Sequence, residues 1–145
     1  MAPLIALTAG FALLRLLGGA GVDALDGWQP ALRGGLALMF LLTASAHFLG
    51  NRRADLIAMV PSRLPRPELL VTTTGILELA GAAGLLLPAT APWAAGCLAL
   101  LLLAMFPANI SAARRGLTLA GRPVTTLGLR TALQVLFVAA ALAAS

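Results

Sequence analysis

Residues 69–87 read LLVTTTGILELAGAAGLLL, and Glu78 at the centre of this stretch is its single charged residue. Apolar stretches of about 20 residues, at about 1.5 Å per residue in a helix, match the hydrocarbon thickness of a bilayer. The stretch therefore predicts a transmembrane helix with a carboxyl group near its middle. Ionisable groups at such a depth are costly and usually functional, so Glu78 is the first candidate for a site.

The composition of the whole chain supports the same class. Of its 145 residues 60% are hydrophobic and 10% are charged, and the mean hydropathy is +0.97. Soluble domains are typically about 45–50% apolar and about 25% charged. The apolar excess is too large for one soluble core and predicts an all-α, polytopic membrane helical bundle, with residues 1–145 forming a single membrane domain.

Apolar segments occur five times along the chain, and they predict spans at about 2–22, 28–50, 68–87, 92–113 and 126–145. Pro88 and Pro92 separate the third span from the fourth, because proline disfavours helix for itself and its predecessor. The first segment contains Arg15 and either spans the bilayer or lies at its interface. It is not expected to be a cleavable signal peptide, since no basic residue precedes its apolar part.

Arginine accounts for all ten basic residues, which is typical of a GC-rich bacterial genome, and seven lie in the loops 51–67 and 113–126. The positive-inside rule makes these loops cytoplasmic and predicts a multi-pass protein of the bacterial cytoplasmic membrane, N-terminus in and C-terminus out. Trp28 and Trp93 then lie at the outer boundary, where tryptophan is enriched. Residues 52–60 predict a short interfacial helix. Because the arginines flank apolar segments, nucleic acid is not an expected partner.

The polar residues of the spans predict one intramembrane layer. At 100° per residue, the face of Glu78 carries small and apolar side chains and points into the bundle: Val71, Thr74, Gly75, Gly81, Ala82 and Leu85. Counted at about 1.5 Å per residue, four other polar side chains fall in the same half of the membrane. The predicted polar layer or ligand-binding set is His47, Glu78, Asn109, Arg130 and Gln134. Thr72, Thr73 and Thr74 add hydroxyl groups.

Two interpretations of this layer remain open at the level of sequence. Its members satisfy one another and fix helix packing, at about 0.6 kcal/mol per pair, or they bind a ligand or handle a proton. One histidine excludes a bis-histidine haem, and Cys97 has no partner for a dithiol or metal site. With no phosphate-binding loop either, we expect no catalytic residue, no metal ligand and no cofactor held by the chain alone.

Five motifs, taken in order, resemble the DoxX-like family of small bacterial membrane proteins: AHF (46–48), MVPSRLPRP (59–67), TGILELAGAAGLLLP (74–88), FPANI (106–110) and LRTALQ (129–134). They cover about residues 30–140. The resemblance implies a four-helix core, to which residues 1–27 add one extra N-terminal transmembrane helix. It also implies that the recurrent His, Glu, Asn, Arg and Gln positions of the family are the five residues of the polar layer.

Some members of that family are linked to thiosulfate:quinone oxidoreductase or to thiol-handling oxidative-stress complexes. The resemblance therefore implies a subunit or accessory protein of a quinone-linked or thiol-linked membrane redox system, with a quinone as the candidate ligand. The expected partners are the lipid bilayer and a membrane or soluble redox protein, with a second copy of the chain as a further candidate. The alternatives are a structural or assembly protein and, less favoured without an inverted repeat, a small transporter or proton pathway.

Overall fold

The computed structural model describes residues 1–145, and its regular structure is helical apart from one very small hairpin. The helices are α1 (Ala2–Gly19), α2 (Trp28–Phe48), α3 (Gly50–Met59), α4 (Pro67–Leu85), α5 (Ala91–Arg114) and α6 (Leu127–Ala143). A 3-10 turn at Asp23–Leu25 precedes α2. Within the predicted loop 113–126, the two-residue strands β1 (Thr118–Leu119) and β2 (Arg122–Pro123) pair antiparallel.

Four of the helices are long and apolar enough to cross a membrane: α1, α2, α4 and α5, with 18 to 24 residues each. The helix α6 is also apolar but has 17 residues. Its length of about 25 Å lies at the lower end of the range for a transmembrane helix. The structure thus confirms a helical bundle with several apolar helices of membrane-spanning length.

Prolines and short turns set the ends of these helices. Pro67 and Pro92 lie in the first turn of α4 and α5, where the missing N–H would have no partner inside the helix. The predicted turn after α4 is confirmed. The Thr90 hydroxyl donates a hydrogen bond to the Gly84 carbonyl at 2.8 Å and closes the turn between the two helices.

Four helices contact one another in a ring. The helix α2 packs on α4, α4 on α5, and α5 on α6, while α6 returns to α2; α1 packs along α2. Arg33 of α2 donates from Nε to the Ala144 carbonyl at 2.8 Å, so the beginning of α2 lies beside the end of α6. This half of the ring is filled by apolar side chains, chiefly Leu36, Met39, Phe40, Leu85 and Leu98.

The opposite end of the bundle, which we call the arginine-rich end, carries α3 and the hairpin. The predicted short helix in the loop 51–67 is confirmed as α3. Arg115 donates to the Ala58 carbonyl at 2.8 Å, and the Ala120 N–H donates to Asp55 Oδ2 at 2.8 Å. These bonds join α3 to the end of α5 and to the hairpin, so both loops form one connected surface.

Arg15 lies near the end of α1 rather than in the middle of the helix. Its Nη1 atom is 3.9 Å from Asp26 Oδ1 in the following loop, and the Asp26 side chain is largely exposed. The long side chain of arginine can keep its stem on an apolar helix while its charge reaches the helix end. This geometry lessens the cost of an arginine within an apolar segment, with Nη1 beyond hydrogen-bond distance of Asp26.

Gly75 controls how closely α4 approaches α2. A Cβ atom at this position would lie 2.6 Å from the Cβ of His47 and 2.9 Å from the ring of Phe48. Because the Cβ of His47 is fixed to its backbone, Gly75→Ala should force the helices apart and lower the unfolding free energy by about 1–3 kcal/mol. Thermal unfolding in detergent measures this. Gly96→Ala, which would meet nothing within 4 Å, is the matched control and should not destabilise the protein.

Candidate intramembrane polar site

The inward face of α4 carries Glu78, as the helical periodicity predicts. The buried residues of this helix are Val71, Gly75, Glu78, Ala82 and Leu85, and Glu78 is only 2% exposed. A carboxyl group in such surroundings needs a polar partner, because a buried and unpaired polar group costs free energy. The partners of Glu78 come from α2.

Two side chains of α2 contact the Glu78 carboxyl group. The Thr43 hydroxyl donates a hydrogen bond to Glu78 Oε2 at 2.9 Å, and His47 Nε2 lies 3.7 Å from the same oxygen. The sequence predicts His47 for the layer but not Thr43. A usable signal existed, because Thr43 precedes His47 by four residues and therefore shares its face of the helix.

The second ring nitrogen of His47 reveals where its proton lies. Nδ1 is 2.8 Å from the Val71 carbonyl oxygen, and a carbonyl oxygen can only accept, so Nδ1 carries a hydrogen. The Thr74 hydroxyl is 3.1 Å from the same nitrogen, which places one of the three predicted threonines beside His47. In its neutral form, His47 then presents the lone pair of Nε2 to Glu78.

This arrangement allows His47 and Glu78 to hold one proton between them. Either the carboxyl group is protonated beside a neutral imidazole, or the carboxylate faces an imidazolium. A bare carboxylate opposite a neutral Nε2 would put two acceptors together without a proton. The separation of 3.7 Å is too long for a hydrogen bond, so a small approach of the two side chains is needed before the proton can transfer.

Arg53 joins the helices around this pair on the side of the arginine-rich end. From α3 it donates through Nη1 to the His47 carbonyl at 2.6 Å and through Nη2 to the Thr72 hydroxyl at 2.9 Å. One guanidinium therefore links α2, α3 and α4. From the sequence, Arg53 is only one of the charges that orient the bundle, since nothing local indicates which carbonyl an arginine will reach.

The other predicted residues form a separate group between α5 and α6. Arg130 donates from Nη1 to Asn109 Oδ1. The two ion pairs of the chain are Arg15–Asp26 and His47–Glu78, so Arg130 has no carboxylate partner. Gln134 is 7% exposed, and its Nε2 atom is buried without a hydrogen-bond partner, as is Arg130 Nε.

The two groups nevertheless lie at the same level of the bundle. Since α2 and α6 run antiparallel and meet at Arg33 and Ala144, equal numbers of residues from that contact reach equal heights. Thr43 lies ten residues after Arg33, and Gln134 lies ten residues before Ala144. His47 and Arg130 lie fourteen residues from the same two positions. Residue counting thus puts the two groups at similar heights, while the contacts divide the predicted set into a His47–Glu78 half and an Asn109–Arg130 half, with Gln134 Nε2 unpaired.

The apolar core closes this layer on one side. Between the level of Thr43 and that of Arg33, α2 contributes Leu36, Met39 and Phe40, all at most 1% exposed. The layer is thus separated from the Arg33 end of the bundle. The polar groups that continue from it, such as Arg53 and Thr72, lead toward the arginine-rich end.

The comparisons with known proteins give one family match. Residues 36–145 match the model of a family described as a domain of unknown function, DUF8561. These residues include most of α2 and the remainder of the chain, and so all five residues of the predicted layer. No curated protein and no solved structure matches the chain.

Thr43→Val tests whether the Thr43 hydroxyl satisfies Glu78. Valine keeps the branched shape but cannot donate to Glu78 Oε2, so a buried oxygen loses its hydrogen bond. The unfolding free energy should fall by about 1–3 kcal/mol, as measured by thermal or denaturant unfolding in detergent. Thr131→Val is the control, because that exposed hydroxyl bonds only to its own helix at Leu127. Equal effects of the two substitutions would contradict the assigned role of Thr43.

Proposed function

We propose that this chain, which belongs to the DUF8561 family, is a DoxX-like subunit or accessory protein of a quinone-linked or thiol-linked membrane redox system. In this proposal the polar layer binds the polar head of a small ligand, such as a quinone carbonyl, within the apolar bundle. The chain supplies binding and proton handling, while the electrons come from a partner protein or a cofactor bound by it. Sites of this kind are mostly apolar with a few well-placed polar groups.

The single observation that carries the proposal is the buried pair of His47 and Glu78, whose Nε2 and Oε2 atoms face each other at 3.7 Å. Reduction of a quinone takes up protons as well as electrons, so a buried acid–base pair beside the ligand provides a proton donor. The free donors Arg130 Nε and Gln134 Nε2 lie at the levels of His47 and Thr43. They supply the hydrogen bonds that a ligand oxygen needs, and the Asn109 side chain adds a further amide.

The membrane arrangement is part of the same proposal. The ring of α2, α4, α5 and α6 is the four-helix core, and α1 is the extra N-terminal transmembrane helix, supported by its packing along α2. The arginine-rich end faces the cytoplasm of a bacterium, by the positive-inside rule. The N-terminus is then cytoplasmic and the C-terminus lies outside.

A structural or assembly role is the second candidate, and one observation favours it. The α2–α4 half of the layer is internally satisfied, since Thr43 bonds Glu78 and Val71 accepts from His47. Such bonds lock the helices without any ligand. Under this alternative, Glu78→Gln changes the thermal stability of the protein, and any cellular phenotype follows the abundance of the protein alone.

Native mass spectrometry of the protein, extracted gently from its own membranes, distinguishes the two candidates. The redox proposal predicts a co-purifying molecule of quinone size or a bound redox subunit. Glu78→Gln and Arg130→Ala should reduce the retained ligand or the activity of the complex by about tenfold or more, since charge-assisted bonds contribute about 1.5–3 kcal/mol each. Cys97→Ser, at an exposed position of α5, is the control and should retain the ligand.

A protein that carries only lipid would refute the redox proposal. The same conclusion follows if both variants keep wild-type ligand occupancy and wild-type activity of the complex.

Labelling of single cysteines tests the proposed orientation. In a Cys97→Ser background, Ala89→Cys places a thiol in the turn between α4 and α5, and Ser62→Cys places one at the arginine-rich end; both positions are exposed. A membrane-impermeant maleimide should label Ala89→Cys in intact spheroplasts. Ser62→Cys should react only after the membrane is permeabilised. The reverse pattern would show that the arginine-rich end faces outward.

A further inference from the structure

Arg130 carries a charge that no acidic residue balances. Its guanidinium is half-buried on α6 and bonds only the neutral side-chain oxygen of Asn109. Glu78, the one carboxyl group at this level, is engaged by Thr43 and His47 instead. A guanidinium in low-dielectric surroundings without a counter-charge is unfavourable, and arginine is the residue best suited to bind planar or tetrahedral oxyanions in two-point fashion.

Gln134 provides an independent indication of a missing acceptor. It follows Arg130 by four residues and so lies on the same face of α6. More than nine-tenths of Gln134 is buried, yet its Nε2 donor has no partner, and neither has Arg130 Nε. Unpaired buried donors are rare because each costs about as much as a lost hydrogen bond. Here two of them occur one turn apart.

The beginning of α6 favours the same kind of ligand. Thr126 makes no side-chain cap, and the first helical hydrogen bond runs from the Arg130 N–H to the Thr126 carbonyl, so the preceding N–H groups are free. A Cβ atom on Gly128 would meet nothing within 4 Å, which shows open space beside this turn. Free N–H groups and the helix dipole make such a terminus favourable for negative charge.

We propose that Arg130 and Gln134, with Asn109, form a binding site for an oxyanion of the phosphate type at the arginine-rich end of the α5–α6 interface. The inference rests on the ligand-binding layer of the proposed function and not on its redox role, and it assigns an oxyanion rather than a neutral quinone carbonyl to the donor half of that layer. An oxyanion supplies both the counter-charge that Arg130 lacks and acceptors for the two unpaired donors. A neutral carbonyl supplies the acceptors but no counter-charge.

The route of entry follows from the packing. The Arg33 side of the layer is closed by the buried Met39 and Phe40 side chains. Arginines at the other end, among them Arg114 and Arg122, are exposed and raise the local concentration of anions. The oxyanion therefore arrives either from solution or as the headgroup of an anionic lipid.

Ligand-induced stabilisation of the full-length protein tests the site. In neutral detergent, sodium phosphate is titrated against sodium chloride at matched ionic strength while the thermal midpoint is recorded. In a second arm, native mass spectrometry counts phosphatidylglycerol retained from nanodiscs that mix it with phosphatidylcholine. Binding in the first arm identifies a soluble oxyanion, and binding in the second arm alone identifies a lipid headgroup; both support the site.

Two variants and one control assign the binding to these residues. Arg130→Gln should weaken binding by at least about tenfold, the effect of losing a charge-assisted pair. Gln134→Leu should weaken it severalfold while raising the thermal midpoint of the unliganded protein, because the unpaired amide is removed. Arg122→Gln, an exposed hairpin position, removes the same charge and should change binding less than twofold. Gln134→Leu keeps the test valid if Arg130→Gln does not fold.

The inference fails if neither phosphate nor phosphatidylglycerol binds, or if Arg122→Gln weakens binding as much as Arg130→Gln does. It also fails if Gln134→Leu binds like the wild type. Retention of a quinone or redox subunit by a protein that binds no oxyanion would overturn this inference and leave the proposed function intact. Oxyanion binding by a protein that retains neither would support the site and refute the redox role.

Discussion

The burial of the Glu78 carboxyl group is the constraint on which the packing of α2 and α4 depends. A helix in an apolar bundle can carry such a group only if the neighbouring helix supplies polar atoms at the same height. Thr43 and His47 supply them. Gly75, one turn before Glu78, lets the backbone of α4 come close enough for these contacts, since a side chain there would meet His47. Gly75 therefore allows the close helix approach that the burial of Glu78 requires.

The two halves of the polar layer differ in how completely they are satisfied. Between α2 and α4, Thr43 donates to Glu78, His47 bonds the Val71 carbonyl, and the His47 and Glu78 side chains face each other at 3.7 Å. Between α5 and α6, Gln134 and Arg130 keep donors without acceptors. The hydrogen bonds of the first half fix the packing of α2 against α4. The second half keeps the unpaired donors of the proposed ligand site. This asymmetry is the reason why a ligand site is proposed for the layer in addition to packing.

The two ends of the bundle are also unequal. Toward Arg33 the ring is filled by buried side chains such as Leu36 and Phe40. Toward the other end, α3 and the hairpin are held by hydrogen bonds through Arg115 and Asp55, and the surface is rich in arginine. Polar groups continue from the layer only in this second direction. Any ligand, proton or partner that uses the layer is therefore best placed at the arginine-rich end.

Local features of the sequence determined much of this protein. Hydropathy predicts the membrane class and the helices, and Pro88 and Pro92 predict the turn after α4. The 3.6-residue period predicts that the face with Glu78 points inward. These are properties of single segments. The pairing within the layer was decided only by the tertiary structure: Glu78 contacts Thr43 and His47, while Arg130 contacts Asn109 and leaves Gln134 unpaired. Height along a helix follows from counting residues, but contact also depends on which helices are neighbours and how each is rotated, and packing between distant segments sets both.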